Sequence, residues 1–242
     1  MRIYKNITYN SDLPTIQALQ ALSKPGISVG DYKNAFYQIG SALGDLLNKK
    51  VDNNYGNTML ACASEDADWL ASGVLDSISQ KDVSLAVFWN ERVTLNQKTK
   101  LEYSPIIKSY IEPIENCKTL ILVKSIISTS CVVKFQLLHL INKINPEKIL
   151  ILAPVMYKNA KESLMREFPD YINSKFQFYI TKKEPCKMRG SFLGFMLQVE
   201  ECSLLMSLDF CHLYLFFANR RQRVDQPLAK LYMYCNSIAK IG

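Results

Sequence analysis

The feature that most limits this chain's fold is a set of short segments that are apolar at nearly every position rather than at every second one. Thr58–Ala63, Val83–Trp89 and, behind a leading lysine, Lys118–Val123 and Lys148–Ala153 all read this way. Phe176–Ile180 is a fifth, shorter run. A strand that is apolar on both sides must be covered on both faces, which is the situation of a central parallel strand. Segments with helical spacing lie between these runs. In Val29–Lys49, Ala35, Ile39, Leu43, Leu46 and Leu47 share one face, with Asp31 read as the cap. Trp69 to about Ser79, Ser128–Ile144 and Asn159–Phe168 follow as helices. In Ser128–Ile144 the inward residues are expected to be Val132, Phe135, Leu138 and Leu140, and Pro146 ends the segment. Strands alternating with helices in this way predict an α/β fold, a parallel central sheet flanked by helices. Ligands on such sheets bind at the carboxyl ends of the strands. The turns after Ala63, Trp89, Val123 and Ala153 are therefore where chemistry is expected.

The remainder of the chain divides unevenly. Residues 1–30 are mixed and punctuated by Pro and Gly, and Asn90–Lys108 reads as a polar, basic loop or hairpin. The expected organisation is an α/β domain over residues 1–182. A hydrophobic C-terminal extension over 183–242 is expected to pack on that domain or on a partner. The most hydrophobic window, Ser191–Ala218, contains Glu200, Glu201 and Asp209. Carboxylates are costly at bilayer depth, so the window is read as buried structure and not a membrane span. The N-terminus lacks the apolar stretch of a signal peptide, which gives a cytoplasmic expectation. With 242 residues, 48% hydrophobic and 21% charged, composition excludes a disordered chain. The net charge of +7 permits an anionic partner without requiring one.

Metal and thiol chemistry is not encouraged by the residue pattern. The seven cysteines are scattered and no two form a CxxC. Most sit in apolar runs, as buried reduced thiols do. The two histidines, His139 and His212, have no Cys or His at ligand spacing, and His139 is expected as a packed core residue. No metal site and no cofactor is expected. With two histidines and no GxSxG pattern, a serine hydrolase is also disfavoured.

From about residue 20 to 182 the order of elements resembles the uracil phosphoribosyltransferases. The helix Ser28–Lys49, the strand Thr58–Ala63 and the hairpin residues Phe88-Trp-Asn-Glu-Arg-Val-Thr94 follow that family's order. So do the approach Ile111–Val123 and the later strand and helix Pro146–Ala153 and Asn159–Phe168. The resemblance implies a phosphoribosyl-pyrophosphate loop directly after Val123, opening with an acidic residue and running through Ala-Thr-Gly-Gly-Ser into a helix. Here the segment is Val123-Lys-Ser-Ile-Ile-Ser-Thr-Ser-Cys-Val132. Lys124 stands where the acidic residue is expected, and Ser130 and Cys131 stand where the two glycines are expected. The resemblance also implies an Arg with a small residue and Gly after the first strand, to hold pyrophosphate. The turn here, Ala63-Ser-Glu-Asp-Ala-Asp68, carries Glu65, Asp66 and Asp68 and no Arg. A Gly- and Asp-rich uracil-binding segment has no counterpart in residues 183–242.

These departures set the candidate residues. Glu65, Asp66, Asp68 and Lys124 are the catalytic candidates, with Asp68 alternatively read as the helix cap before Trp69. Ser128, Thr129 and Ser130 form a hydroxyl-rich turn at a helix start, a vestigial phosphate loop. Arg220, Arg221 and Arg223 follow an aromatic run and form a basic dock for a nucleic acid or a protein partner. The functional expectation is a catalytically inactive phosphoribosyltransferase-like protein, a structural or regulatory subunit that forms a homodimer or a hetero-complex. The alternatives are a nucleic-acid-binding or nucleotide-sensing regulator on the same fold, or an enzyme with altered chemistry on a nucleotide-like substrate, of the kind a bacterial defence system would use.

Overall fold

The structure is a computed structural model. It describes residues 7–9, 13–22, 26–51, 55–79, 82–91, 93–96, 101–128, 130–157 and 159–183. The chain begins with β1 (Ile7–Tyr9), α1 (Leu13–Leu22) and α2 (Val29–Lys50). Then come β2 (Thr58–Ala63), α3 (Ser64–Asp66), a π-helical turn (Ala67–Ala71) and α4 (Ser72–Ser77). β3 (Val83–Asn90), β4 (Val93–Asn96), β5 (Leu101–Tyr103) and β6 (Ile106–Ile111) follow. The last part holds β7 (Thr119–Val123), β8 (Ile126–Ile127), α5 (Cys131–Ile144), β9 (Lys148–Met156), α6 (Ala160–Arg166), α7 (Asp170–Asn173) and β10 (Phe176–Lys183).

The expected sheet forms. Its strand order is β1-β10-β9-β7-β2-β3-β6, with β8 paired to β9. Every pairing is parallel except that of β3 with β6. The uniform apolar strands are uniform because each feeds two cores. Leu60 and Cys62 of β2, with Ile121 and Val123 of β7, join the core under α1, α2 and α4. Met59, Ala61, Leu120 and Leu122 join the core under α5, α6 and α7.

Several local expectations are corrected. Residues 1–30, read only as mixed, contain a strand and a helix, whereas Asn90–Lys108 does contain a hairpin, the antiparallel β4–β5 ladder, followed by the start of β6. Ser28, not Asp31, caps α2. Its Oγ accepts the Asp31 backbone N–H at 3.1 Å, and its hydroxyl donates to Asp31 Oδ2 at 2.7 Å. This reciprocal arrangement satisfies a donor of the first turn. The helix after β2 starts at Ser64 with no loop, so Asp68 lies inside the π turn and is not a cap. In α5 the buried residues are Val133, Gln136, Leu137, Leu140 and Ile141. Val132 and Phe135 are half-buried and Leu138 is exposed, so the inward face is rotated from the expected one. His139 is half-buried with its ring edge-on to Phe88, and burial followed by Lys143 lowers its pKa. Cys62 and Cys117 are buried free thiols. Burial pushes Cys117 up to about 11 and, with nearby carboxylates, pushes Cys62 up as well.

The α2–α4 contact is set by glycines. A Cβ on Gly40 would run into the Leu70 carbonyl, and one on Gly73 into the Tyr37 carbonyl. Backbone is therefore packed on backbone, and the contact is tied laterally by Tyr37–Asp76 and Ser41–Ser77 hydrogen bonds. Rigid carbonyls cannot yield as a side chain would. Gly40→Ala is expected to lower unfolding stability by about 1–3 kcal/mol. Urea melts of the variant and the parent check this, and equal midpoints would contradict it.

Candidate functional site

β2 and β7 are neighbours in the centre of the sheet, and their carboxyl ends lie side by side. The residues that follow each strand therefore meet. From β2 the chain turns straight into α3 and delivers Glu65 and Asp66. From β7 it delivers Lys124. The Lys124 ammonium donates to Asp66 Oδ2 at 2.7 Å and to Glu65 Oε1 at 3.0 Å. The other Asp66 oxygen accepts the backbone N–H of Ser125 at 3.1 Å, and the Ser125 hydroxyl lies 3.4 Å from the ammonium. Lys124 and Asp66 are buried, at 7% and 3% exposure, whereas Glu65 is half-buried.

The electrostatics are those of a closed centre. The two carboxylates hold the Lys124 proton firmly and raise its pKa despite the burial that opposes this. Burial raises the Asp66 carboxyl, while the Lys124 ammonium pulls it back. With both partners hydrogen-bonded and Lys124 bound twice, the cluster holds one cation and two carboxylates. It is net negative at the carboxyl end of the sheet.

Past Lys124 the chain does not open into a loop. The Lys124 N–H donates to the Leu152 carbonyl at 3.0 Å, and β8 continues alongside β9. Ile126 and Ile127 are buried, and the Tyr157 N–H donates to the Ile127 carbonyl at 2.9 Å. Only residues 128–130 then remain before α5. Ser128 is half-buried at its start, Thr129 lies outside the described residues, and Ser130 precedes the helix with φ 61°. That left-handed conformation is natural to glycine and costs an L-residue about 1–2 kcal/mol.

Glu65, Asp66 and Lys124 are thus brought together. Asp68 sits one turn on in the π segment, and its charge contributes to raising Cys62. Arg220, Arg221 and Arg223 lie outside the described residues. Sequence reasoning missed Ser125. Its signal was a small polar residue inside an otherwise apolar run, at the step where the chain must turn one N–H toward a buried acid. Among the described residues no cluster of three metal-ligating side chains occurs, and no helix is long and apolar enough to cross a membrane.

No family model matches the chain, and no curated protein matches its sequence. Solved structures do match. The AQ2163 protein of Aquifex aeolicus superposes with a TM-score of 0.58 at 10% identity, over 74% of this chain and 87% of that one. Adenine phosphoribosyltransferase of Trypanosoma brucei, solved with AMP, pyrophosphate and ribose-5-phosphate, superposes with a TM-score of 0.51 at 9% identity. That match covers 78% of this chain and 90% of the enzyme. The chain has the phosphoribosyltransferase fold. On this fold Lys124 occupies the strand end where the resemblance places an acidic residue. Asp66 and Glu65 occupy the turn where it places an arginine. Against that resemblance, the two charges stand exchanged.

Removing Lys124 leaves Asp66 as a buried acid without its counter-charge. Lys124→Met is expected to cost about 3–5 kcal/mol at neutral pH. In the variant Asp66 binds a proton more readily than an ordinary carboxyl of pKa 3.8. A raised folded-state pKa gives stability that is present below the unfolded value and lost as pH rises through the folded one. The deficit relative to the parent therefore shrinks at about pH 4.5 and is full at about pH 8. Urea melts at the two pH values check this, and a pH-independent deficit would count against a stranded Asp66.

Proposed function

We propose that this chain is a catalytically inactive phosphoribosyltransferase-fold protein, a structural or regulatory subunit that works through association and not through turnover. The observation that carries the reading is the closed Lys124–Asp66–Glu65 centre. A phosphoribosyl donor is a polyanion, and its pyrophosphate needs cationic or N–H donors at the sheet's carboxyl end. Lys124, the cation at the ends of β2 and β7, is already bound by two carboxylates. The remaining negative charge repels a pyrophosphate. The resemblance also assigns an acidic residue at position 124 to the ribose hydroxyls and the metal, and an ammonium cannot accept those hydrogen bonds.

The shape of the chain supports the same reading. β8 keeps the segment after Lys124 in the sheet. A phosphate loop needs mobile backbone N–H groups there, and these residues are buried and paired. The uracil-type resemblance adds no base site, because the segment expected to supply one has no counterpart. Association is the function left to such a scaffold. The exposed Tyr103 and Leu138, with Tyr103 packed edge-on against Phe135, offer an apolar surface on the β5–α5 side for a second copy or a different partner.

Calorimetric titration of the full chain with phosphoribosyl pyrophosphate and Mg²⁺ tests the reading. The expected result is no saturable heat, together with no pyrophosphate release when uracil or adenine is added. Binding at a hundredfold excess over the dissociation constant would also raise stability by about 2.7 kcal/mol, which a thermal shift would detect. Saturable binding or release of pyrophosphate would overturn the assignment.

A further inference from the structure

The sheet ends in β6, and that edge is open. Among the described residues β6 pairs with β3 alone. The Glu112 N–H donates to the Leu85 carbonyl at 2.8 Å, and in an antiparallel pair the bonding residues alternate along the strand. Tyr110 and Lys108, set against Val87 and Trp89, therefore turn their N–H and C=O groups inward, and Ser109 and Ile111 turn theirs out of the sheet. Ile107, Lys108 and Ser109 are exposed in succession, Ile107 at 64%. The ladder shifts register at this point, so Ile107 is left without a Cα partner in β3. Exposed edges are ordinarily blunted by charge, because a bare one templates another strand. β6 carries a single charge, Lys108, and its ammonium is drawn back over the Trp89 ring, 5.1 Å from the centroid.

We infer that β6 pairs antiparallel with β6 of a second copy of the chain, about a twofold axis through Ser109, so that two sheets join into one. This names the occupant and the surface of the association proposed above, and it rests on that reading. The strand's own sequence, Ile106-Ile-Lys-Ser-Tyr-Ile111, selects the partner and the register. Two edges bond only where the outward-facing residues of one meet those of the other, so the allowed registers differ by two residues. With Ser109 on the axis, it exchanges both backbone bonds with Ser109 of the partner subunit. Ile107 then lies beside the partner's Ile111, and Lys108 lies opposite the partner's Tyr110. Ile107 gains an apolar neighbour and no charge meets its like. A shift of two residues one way sets Lys108 against the partner's Lys108. The same shift the other way sets Ile107 against the partner's Pro113, which has no N–H to bond. The register on Ser109 escapes both penalties. Such an interface is isologous and closes at two copies.

Sedimentation velocity of the full chain across a dilution series tests this. The expected result is a dimer that gives way to monomer on dilution. Ser109→Pro removes an N–H that faces away from β3, so it spares the sheet's own bonds. The loss occurs twice about the axis, and dimerisation about tenfold weaker is expected. Ser109→Arg sets two cations against each other on the axis and is expected to weaken the dimer similarly, and it decides the matter if Ser109→Pro does not fold. Ser109→Cys reads the register. Residues that exchange backbone bonds lie about 5.5 Å apart at Cα, within reach of a disulfide. Mild oxidation and peptide mapping are expected to join the two substituted positions between chains. The yield should be several-fold above that of Tyr171→Cys, an exposed control on α7. A parent chain that is monomeric up to the highest concentration reached would overturn the inference. So would a dimer that Ser109→Pro and Ser109→Arg leave unchanged, which would place the contact elsewhere on the molecule. A disulfide yield at the control level would overturn the register on Ser109. The oligomeric state is read without a phosphoribosyl donor. A monomer therefore overturns the edge pairing and leaves the inactive centre standing, whereas donor binding by a chain that dimerises through Ser109 overturns the inactive centre and leaves the edge pairing standing.

Discussion

The ion pair of Lys124 with Asp66 is the constraint on which the site depends. It joins the ends of the two central strands, and it does so where the sheet has no further strand hydrogen bonds to offer between them. Two ions of this kind lose their hydration on burial, and their attraction offsets that loss only if the geometry is good and every remaining valence is met. Here it is met. Asp66 uses both oxygens, one on Lys124 and one on the Ser125 N–H, and Lys124 reaches Glu65 as well. Such a pair contributes little net stability over an apolar pair of the same shape. Its effect is to fix position: with Lys124 and Ser125 both tied to Asp66, the turns after β2 and β7 have one arrangement.

That fixing spreads outward. Because α3 begins at once after Ala63, the helical turn that bears Asp66 also sets the start of the π segment and of α4. α4 in turn packs on α2 through Gly40 and Gly73 with almost no side chain between them. On the other side, the N–H groups of Lys124 and Tyr157 hold β8 to β9, so the chain enters α5 from within the sheet. Ser130 then takes the left-handed turn alone. The strain at this non-glycine residue is the local cost of a route that the paired segment before it dictates.

The central strands were legible because each is covered on both faces, so its apolar character has no alternation to confuse with helix or loop. β1 was not legible: three residues, paired with one strand at the sheet edge, leave no periodic signal. α5 shows a different failure. Val132, Phe135 and Leu138 repeat at helical spacing as convincingly as Val133, Leu137, Leu140 and Ile141 do. The true inner face includes Gln136, whose amide donates to Asn90 Oδ1 at 3.0 Å. A buried glutamine is invisible to hydrophobic pattern, and an outer face carrying Phe135 under Tyr103 imitates an inner one. At the site, strand-end placement alone brought Glu65, Asp66 and Lys124 into one neighbourhood. Their bonding was not legible, since nothing in the sequence distinguishes a lysine that faces an open pocket from one that fills it.

The complementarity of charge also bears on how such a centre holds together. Position 124 and the turn at 65–66 are 58 to 59 residues apart in the chain, yet their charges are complementary and their distances are those of short, charge-assisted hydrogen bonds. Replacing either charge by its opposite would place like charges together: an acid at 124 beside Asp66, or an arginine at 66 beside Lys124. Both arrangements are strongly unfavourable in a buried setting. The two charges are stable there only jointly. The centre is therefore a built part of the scaffold, with the carboxyl end of the sheet closed by a bond between its own two strands.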